Sequence, residues 1–189
     1  MVFSFLQRAL GLVRVQMVGV LAALASQLAA QAAEPAAPLG APSALVAQTV
    51  WGILGYTRWP GEPAVVQLCI AGETLHATAL LEGAELAGGR KVAARRVRVE
   101  ERSPLESCHA LYAGRLRTGE WAQWMAAWPS GQPLLTLSED ALHCQSGGTF
   151  CLDTSGKTIS FELNLDSMAR SGVRVNPRVL GLARRKEAN

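Results

Sequence analysis

The stretch AVVQLCIAGETLHATALLEGAELAGGRKVAARRVRVE, residues 64–100, decides the fold class. Its first part, AVVQLCIAG, is a nearly continuous apolar run that reads as a strand. ETLHATALLEGAEL, residues 73–86, reads as a helix, and KVAARRVRVE reads as an alternating strand. The same rhythm continues downstream, with SCHALYAG (107–114) as a buried strand, GEWAQWMAAW (119–128) as a helix and QPLLTLSE (132–139) as a strand. Upstream, SALVAQTVWGILGYTRW (43–59) places Leu45, Val46, Thr49, Val50, Ile53, Leu54 and Thr57 along one helical stripe. Ser43 is its candidate N-cap, and Pro60 disfavours helical geometry at Trp59 and so sets its end. Alternating strands and helices predict a layered α/β sheet with helices on both faces, a Rossmann-like single domain over residues 43–189.

The C-terminal part changes character. TFCLDTSGKTISFELNLD, residues 149–166, carries Ser155 and Gly156 between two strand-like runs and predicts a β-hairpin. A helix starting at DSMARSGV and capped by Asp166 follows. A last one, NPRVLGLARR, opens with Pro177 just after Asn176, which is favoured cap and first-turn chemistry.

The N-terminal part is an address. Arg8 and Arg14 lie ahead of the apolar run Val15–Leu28, and QLAAQAAEP then offers an A-x-A cleavage pattern at Ala30 and Ala32. Residues 1–33 are therefore expected to be a signal peptide. The apolar core of about 14 residues is short of the roughly 20 that span a bilayer. Residues 34–42, EPAAPLGAP, read as a flexible leader. Removing residues 1–33 takes the formal charge from +3 to +1, because Arg8 and Arg14 go and no acid does. A global electrostatic case for nucleic acid goes with it. The basic runs at 89–99 and at Arg184, Arg185 and Lys186 read as solvated faces.

Four cysteines, at 69, 108, 144 and 151, suit two disulfides in an exported chain. Three pairings are open in principle. Cys144 and Cys151 flank QSGGTF, whose glycines allow a tight reversal, which leaves Cys69 for Cys108.

Enzyme signatures are thin. There is no Gly-x-Ser-x-Gly elbow, no phosphate-cradling P-loop and no dinucleotide glycine fingerprint after a strand. A Cys and His zinc site would need the thiolates that disulfides remove, so no metal or cofactor is expected and no catalytic residue is assigned. Trp121, Trp124 and Trp128 lie at i, i+3 and i+7, a spacing that favours core packing, with Trp128 at the helix end partly exposed. Alternation in ISFELNLD sets Ile159, Phe161, Leu163 and Leu165 on one face and Ser160, Glu162, Asn164 and Asp166 on the other. Glu162, Arg58 and Arg174 then offer either structural ion pairs or the edge of a small anion pocket, which Trp59 adjoins.

Taken together, LGYTRWP, QLCIAG, SCHALYAG, PLLTLSE and above all ISFELNLDSMARSGVRVNPRVLGLAR resemble the YfiR family of periplasmic proteins, over about residues 46–185. The four cysteines look like that family's two-disulfide pattern. Many members end the first helix with F-x-x-W-P, and here Tyr56 takes the aromatic place. The resemblance implies regulation without catalysis: a homodimeric repressor that binds the periplasmic portion of a YfiN-type inner-membrane diguanylate cyclase, lowers cyclic di-GMP and restrains biofilm formation. It implies release by a YfiB-type outer-membrane lipoprotein and sensitivity to redox state. Such a repressor needs a selective surface with apolar anchors. Phe150, Glu162, Met168, Leu180 and Leu182 are the expected partner contacts, with core burial as the competing reading. The alternative function is binding of a small anionic ligand by Arg58, Trp59 and Arg174.

Overall fold

The computed structural model describes residues 42–98 and 107–184. Strand β2 (Val65–Ala71) lies inside the sheet, parallel to β4 (Lys91–Arg96) on one side and to β5 (Ala110–Ala113) on the other. The sheet continues in parallel through β6 (Leu135–Ser138) and β7 (Phe150–Asp153). Its edges are β3 (Ala84–Glu85) and β8 (Ser160–Leu163), both antiparallel to their neighbours, giving the order β3-β4-β2-β5-β6-β7-β8. A separate two-stranded pair joins β1 (Thr57–Arg58) to β9 (Arg174–Val175). The domain is mixed α/β.

Side-chain alternation along the central strands divides the core in two. Leu68, Ile70, Tyr112, Leu135 and Leu137 are buried with Val46, Val50, Ile53 and Leu54 of helix α1 (Pro42–Gly55). Cys69, Ala71, Leu111 and Ala113 are buried with Trp121 and Trp124 of helix α2 (Glu120–Ala127). Each such aliphatic side chain contributes about 1.5–3 kcal/mol by leaving water. Trp128 is half-buried at the end of α2, as its position next to Pro129 suggests.

Four local readings are corrected. Residues 73–86 do not form a helix: only Ala79–Glu82 make a 3-10 turn, and β3 follows. Gly83 stops the turn with φ +71, and a Cβ there would stand 2.6 Å from the carbonyl oxygen of Val92, so only glycine lets this edge approach β4. Helix α1 ends at Gly55, before Pro60 can act, because Thr57 and Arg58 leave the helix to pair with Val175 and Arg174. Ser43 is not its N-cap. Its hydroxyl donates to the His76 carbonyl and accepts from the Ala79 amide, tying α1 to the 3-10 turn. Lastly, helix α4 (Leu165–Arg170) is capped by Asn164, whose side chain accepts from the Ser167 amide at 3.0 Å, and not by Asp166. Asn176 does cap the 3-10 turn Pro177–Val179 that leads into helix α5 (Leu180–Arg184).

The expected signal peptide, the leader through residue 41, the end of the 91–100 strand, and Arg185 and Lys186 lie outside the described residues.

Two disulfides staple the described chain. Cys69 in β2 joins Cys108 just before β5, with Cα atoms 5.8 Å apart. Cys144 in helix α3 (Ala141–Gln145) joins Cys151 in β7, at 5.6 Å.

Beyond the strands, the loops after β2 and β5 cross. The Glu73 amide donates to the Arg115 carbonyl and the Arg115 amide to the Glu73 carbonyl, each at 2.8 Å. Gly72 and Gly114 make this crossing possible, since a Cβ on either would collide with the opposite backbone.

Two histidines in this frame give a pH dependence. The His109 Nδ1 accepts from the Gln67 amide at 2.9 Å, and the buried His143 stacks on Trp121 at 4.6 Å with Nδ1 2.9 Å from the Ser138 hydroxyl. Burial holds both below the usual histidine value. A proton on His109 Nδ1 would face an N–H donor. Because the folded values are depressed, the unfolded chain takes up more protons as pH falls below about 6.5, and stability is lost there. Unfolding free energy is expected to hold near pH 7.5 and to fall between pH 6.5 and 5, by up to about 1.4 kcal/mol per pH unit per ring. Urea titrations across that range measure it, and a flat profile would rule out both rings as buried neutral groups.

Candidate functional site

The end of α1, strand β1 and strand β9 gather three arginines. Thr57 is fully buried and its hydroxyl donates to the Ile53 carbonyl at 2.8 Å, which fixes the exit from the helix. Arg58 follows, exposed, and its Nη1 donates to the carbonyls of Gly55 and Thr57 at 3.0 Å each. A guanidinium laid over the last carbonyls of a helix is favoured by the helix dipole. Arg174 lies opposite Arg58 in the β1–β9 register, also exposed.

Arg90 completes the cluster. Its Nη1 donates to the Thr57 carbonyl at 3.1 Å and its guanidinium lies 5.9 Å from the Trp59 ring centroid. Burial and the nearby Arg58 lower its affinity for its proton, against the opposing pull of Glu62. Sequence reasoning missed Arg90 because it opens a basic run that reads as a solvated face. The signal that could have found it is the pair of glycines before it, which marks the turn from β3 into β4 and places Arg90 immediately ahead of that strand.

Trp59 was expected at a ligand edge and is instead core. It is 3% exposed, donates through Nε1 to the His109 carbonyl at 2.8 Å and meets the His109 ring edge-on. Glu162 does not join the arginines: it is exposed on β8, opposite Cys151, and among the described residues no ion pair links it to Arg58 or Arg174. The structure thus pairs Arg58 with Arg174, adds Arg90 and leaves Glu162 apart.

The expected partner contacts also divide. Phe150 is fully buried, packed edge-on against Phe161 at 5.3 Å, and presents no surface. Leu182 is half-buried against α1, where a Cβ on Gly52 would stand 2.7 Å from its Cδ1. Leu180, in contrast, is 40% exposed, and Met168 is half-buried one turn from Leu165, which is 71% exposed. Leu165 and Met168 share a face of α4 through their i, i+3 spacing. The C-terminal elements therefore carry apolar side chains into solvent beside the exposed carboxylate of Glu162. Apolar side chains left in solvent in this way are a feature of protein–protein contact surfaces.

The YfiR/HmsC-like family model matches residues 43–184, which takes in every described element except the first residue of α1. With that match over most of its length, the chain belongs to the YfiR/HmsC-like family.

Proposed function

We propose that this protein is a periplasmic negative regulator that binds and inhibits an inner-membrane diguanylate cyclase of the YfiN type, lowering cyclic di-GMP and restraining biofilm formation. Membership of a regulatory family supports this reading. The observation that carries it in the structure is the apolar set on the C-terminal elements, exposed Leu165 and Leu180 with half-buried Met168 sharing the α4 face of Leu165. Residues 1–33 serve as the export signal and 34–42 as a leader that runs into the first residue of α1. Among the described residues no helix is long and apolar enough to cross a membrane. The functional form is a homodimer, a YfiB-type outer-membrane lipoprotein releases the cyclase by competing for the regulator, and the two disulfides tune the response to redox state.

Co-purification with the periplasmic portion of the cyclase, with and without reductant, tests this. Binding is expected in the oxidised state, to weaken at least about tenfold when Met168 and Leu180 are both replaced by Asp, as for apolar anchors at an interface. Loss on reduction supports the redox arm. Absence of binding in both states overturns the proposal.

The Arg58–Arg174 register favours a second reading, binding of a small anion between the two guanidinium groups. A thermal shift with small carboxylates that vanishes in Arg174→Ala would support it.

A further inference from the structure

A separate cleft opens on the α2 side of the sheet, a recess of about 370 Å³ between the end of α2, β6, the loop before β7 and α4. Its size falls at the lower end of small-molecule sites. One wall is apolar: Met125 and the half-buried Trp128, whose ring is fixed by an Nε1 hydrogen bond to the Gln132 carbonyl at 3.1 Å. The other wall is α4, which turns Ser167 and Arg170 into the cleft at i, i+3 spacing. This is a different face of α4 from the one that carries Leu165 and Met168.

Ser167 is the informative residue. It is 6% exposed, and its hydroxyl has no hydrogen-bond partner. Buried hydroxyls are normally paired, and an unpaired one calls for an explanation. The neighbouring hydroxyls are satisfied: Thr136 and Thr149 bond each other at 3.0 Å, and Ser171 donates to the Met168 carbonyl at 2.7 Å. Gly147, with φ +95, faces Ser167 across the gap, and a Cβ there would come within 3.8 Å of the Ser167 oxygen. The bare glycine keeps open the space in front of the unused Ser167 donor. Arg170 adds an exposed guanidinium, and among the described residues no carboxylate is paired with it.

We propose that this cleft binds a single-ring carboxylate. The ring lies against Trp128 and Met125, the carboxylate takes the fork of Arg170, and the Ser167 hydroxyl donates to the ligand. A flat aromatic acid and a sugar acid share this chemistry, and the test separates them. The loop carrying Gly147 lies between Cys144 and Cys151, so the cleft is built on the second disulfide.

The purified protein is titrated with benzoate and with glucuronate while the indole N–H signal of Trp128, assigned through Trp128→Phe, is followed by NMR. At least one acid is expected to shift that signal saturably, with a dissociation constant on the order of 1 mM or tighter for so small a ligand. Benzoate alone identifies an aromatic acid, and glucuronate alone a sugar acid. Arg170→Gln, at an exposed site, and Ser167→Ala are each expected to weaken binding at least about fivefold with the circular dichroism spectrum unchanged. The neutral analogues benzyl alcohol and methyl glucoside should bind about tenfold more weakly than the corresponding acids. Absence of a shift with both acids up to about ten times that constant overturns the proposal. So does binding that both variants leave unchanged, which would mean that a water occupies the Ser167 site.

Discussion

Trp59→Ala lowers the unfolding free energy by about 3–5 kcal/mol, the range for removing a large aromatic from a packed core. The loss has three sources. The ring is 3% exposed and belongs to the α1 side of the core, so its removal leaves a cavity there. The Nε1 donor disappears, which leaves the His109 carbonyl without its 2.8 Å partner. Arg90 loses the ring beneath its guanidinium. For a domain of this size the melting temperature should fall by about 6–20 °C. Trp59→Phe isolates the second source, with a loss of about 1–2 kcal/mol beyond the small volume change. The neighbouring Arg58→Ala is the contrast. Its side chain is exposed and its hydrogen bonds run to the carbonyls of Gly55 and Thr57, so stability should change by about 0.5–1 kcal/mol at most. Urea titration of the three variants measures all of this. Equal losses for Trp59→Ala and Arg58→Ala would refute the division into core and surface.

Removing the Cys69–Cys108 bridge, with both residues changed to Ala, should cost about 4 kcal/mol, against about 2.5 for the Cys144–Cys151 bridge. The difference follows from chain entropy, since the first closes a loop with a sequence separation of 39 and the second one of 7. Position sharpens it. Cys69 is at the centre of β2, fully buried, and its bridge crosses to the strand that pairs on that side, so each sulfur is also core volume for Leu111 and Trp124. Cys144 is on a five-residue helix at the rim, half-exposed. Equilibrium unfolding of the two double variants decides the order, and a larger loss from the rim bridge would contradict the loop argument.

Strand placement was legible in the sequence because β2, β5 and β6 are short apolar runs bounded by glycine or polar residues, and their partners repeat the pattern. Residues 73–86 were misread for a definite reason. Leu75, Ala79, Leu80 and Glu82 have helix-compatible spacing, but Gly83 and the pairing of Ala84 with Val92 are tertiary effects that propensity does not contain. The α4 cap was misplaced by two residues because Asn164 and Asp166 are both good caps and only the backbone geometry chooses. At the candidate site, Arg58 and Arg174 were legible as cations, and their apposition came only with the β1–β9 register. Trp59 and Phe150 looked like surface candidates because a lone aromatic near a proline or a glycine reads the same whether its ring points in or out. The cleft at Ser167 was invisible, since a serine between Asp166 and Met168 carries no sign that its hydroxyl will be left unpaired.

The crossing of the loops after β2 and β5 bears on how a protein of this family can take part in nucleotide signalling. Parallel sheets wound in both directions open beyond the carboxyl ends of their central strands, and there nucleotides settle against a glycine-rich turn. Here the two glycines are spent on letting Glu73 and Arg115 bond each other. The opening is divided into recesses of about 350 and 320 Å³ that share those two residues as a wall. A nucleotide could lie across it only by breaking two backbone hydrogen bonds and leaving their groups to be satisfied again. Beyond the ends of β2 and β5 the described residues thus form a tied frame in place of one continuous cleft.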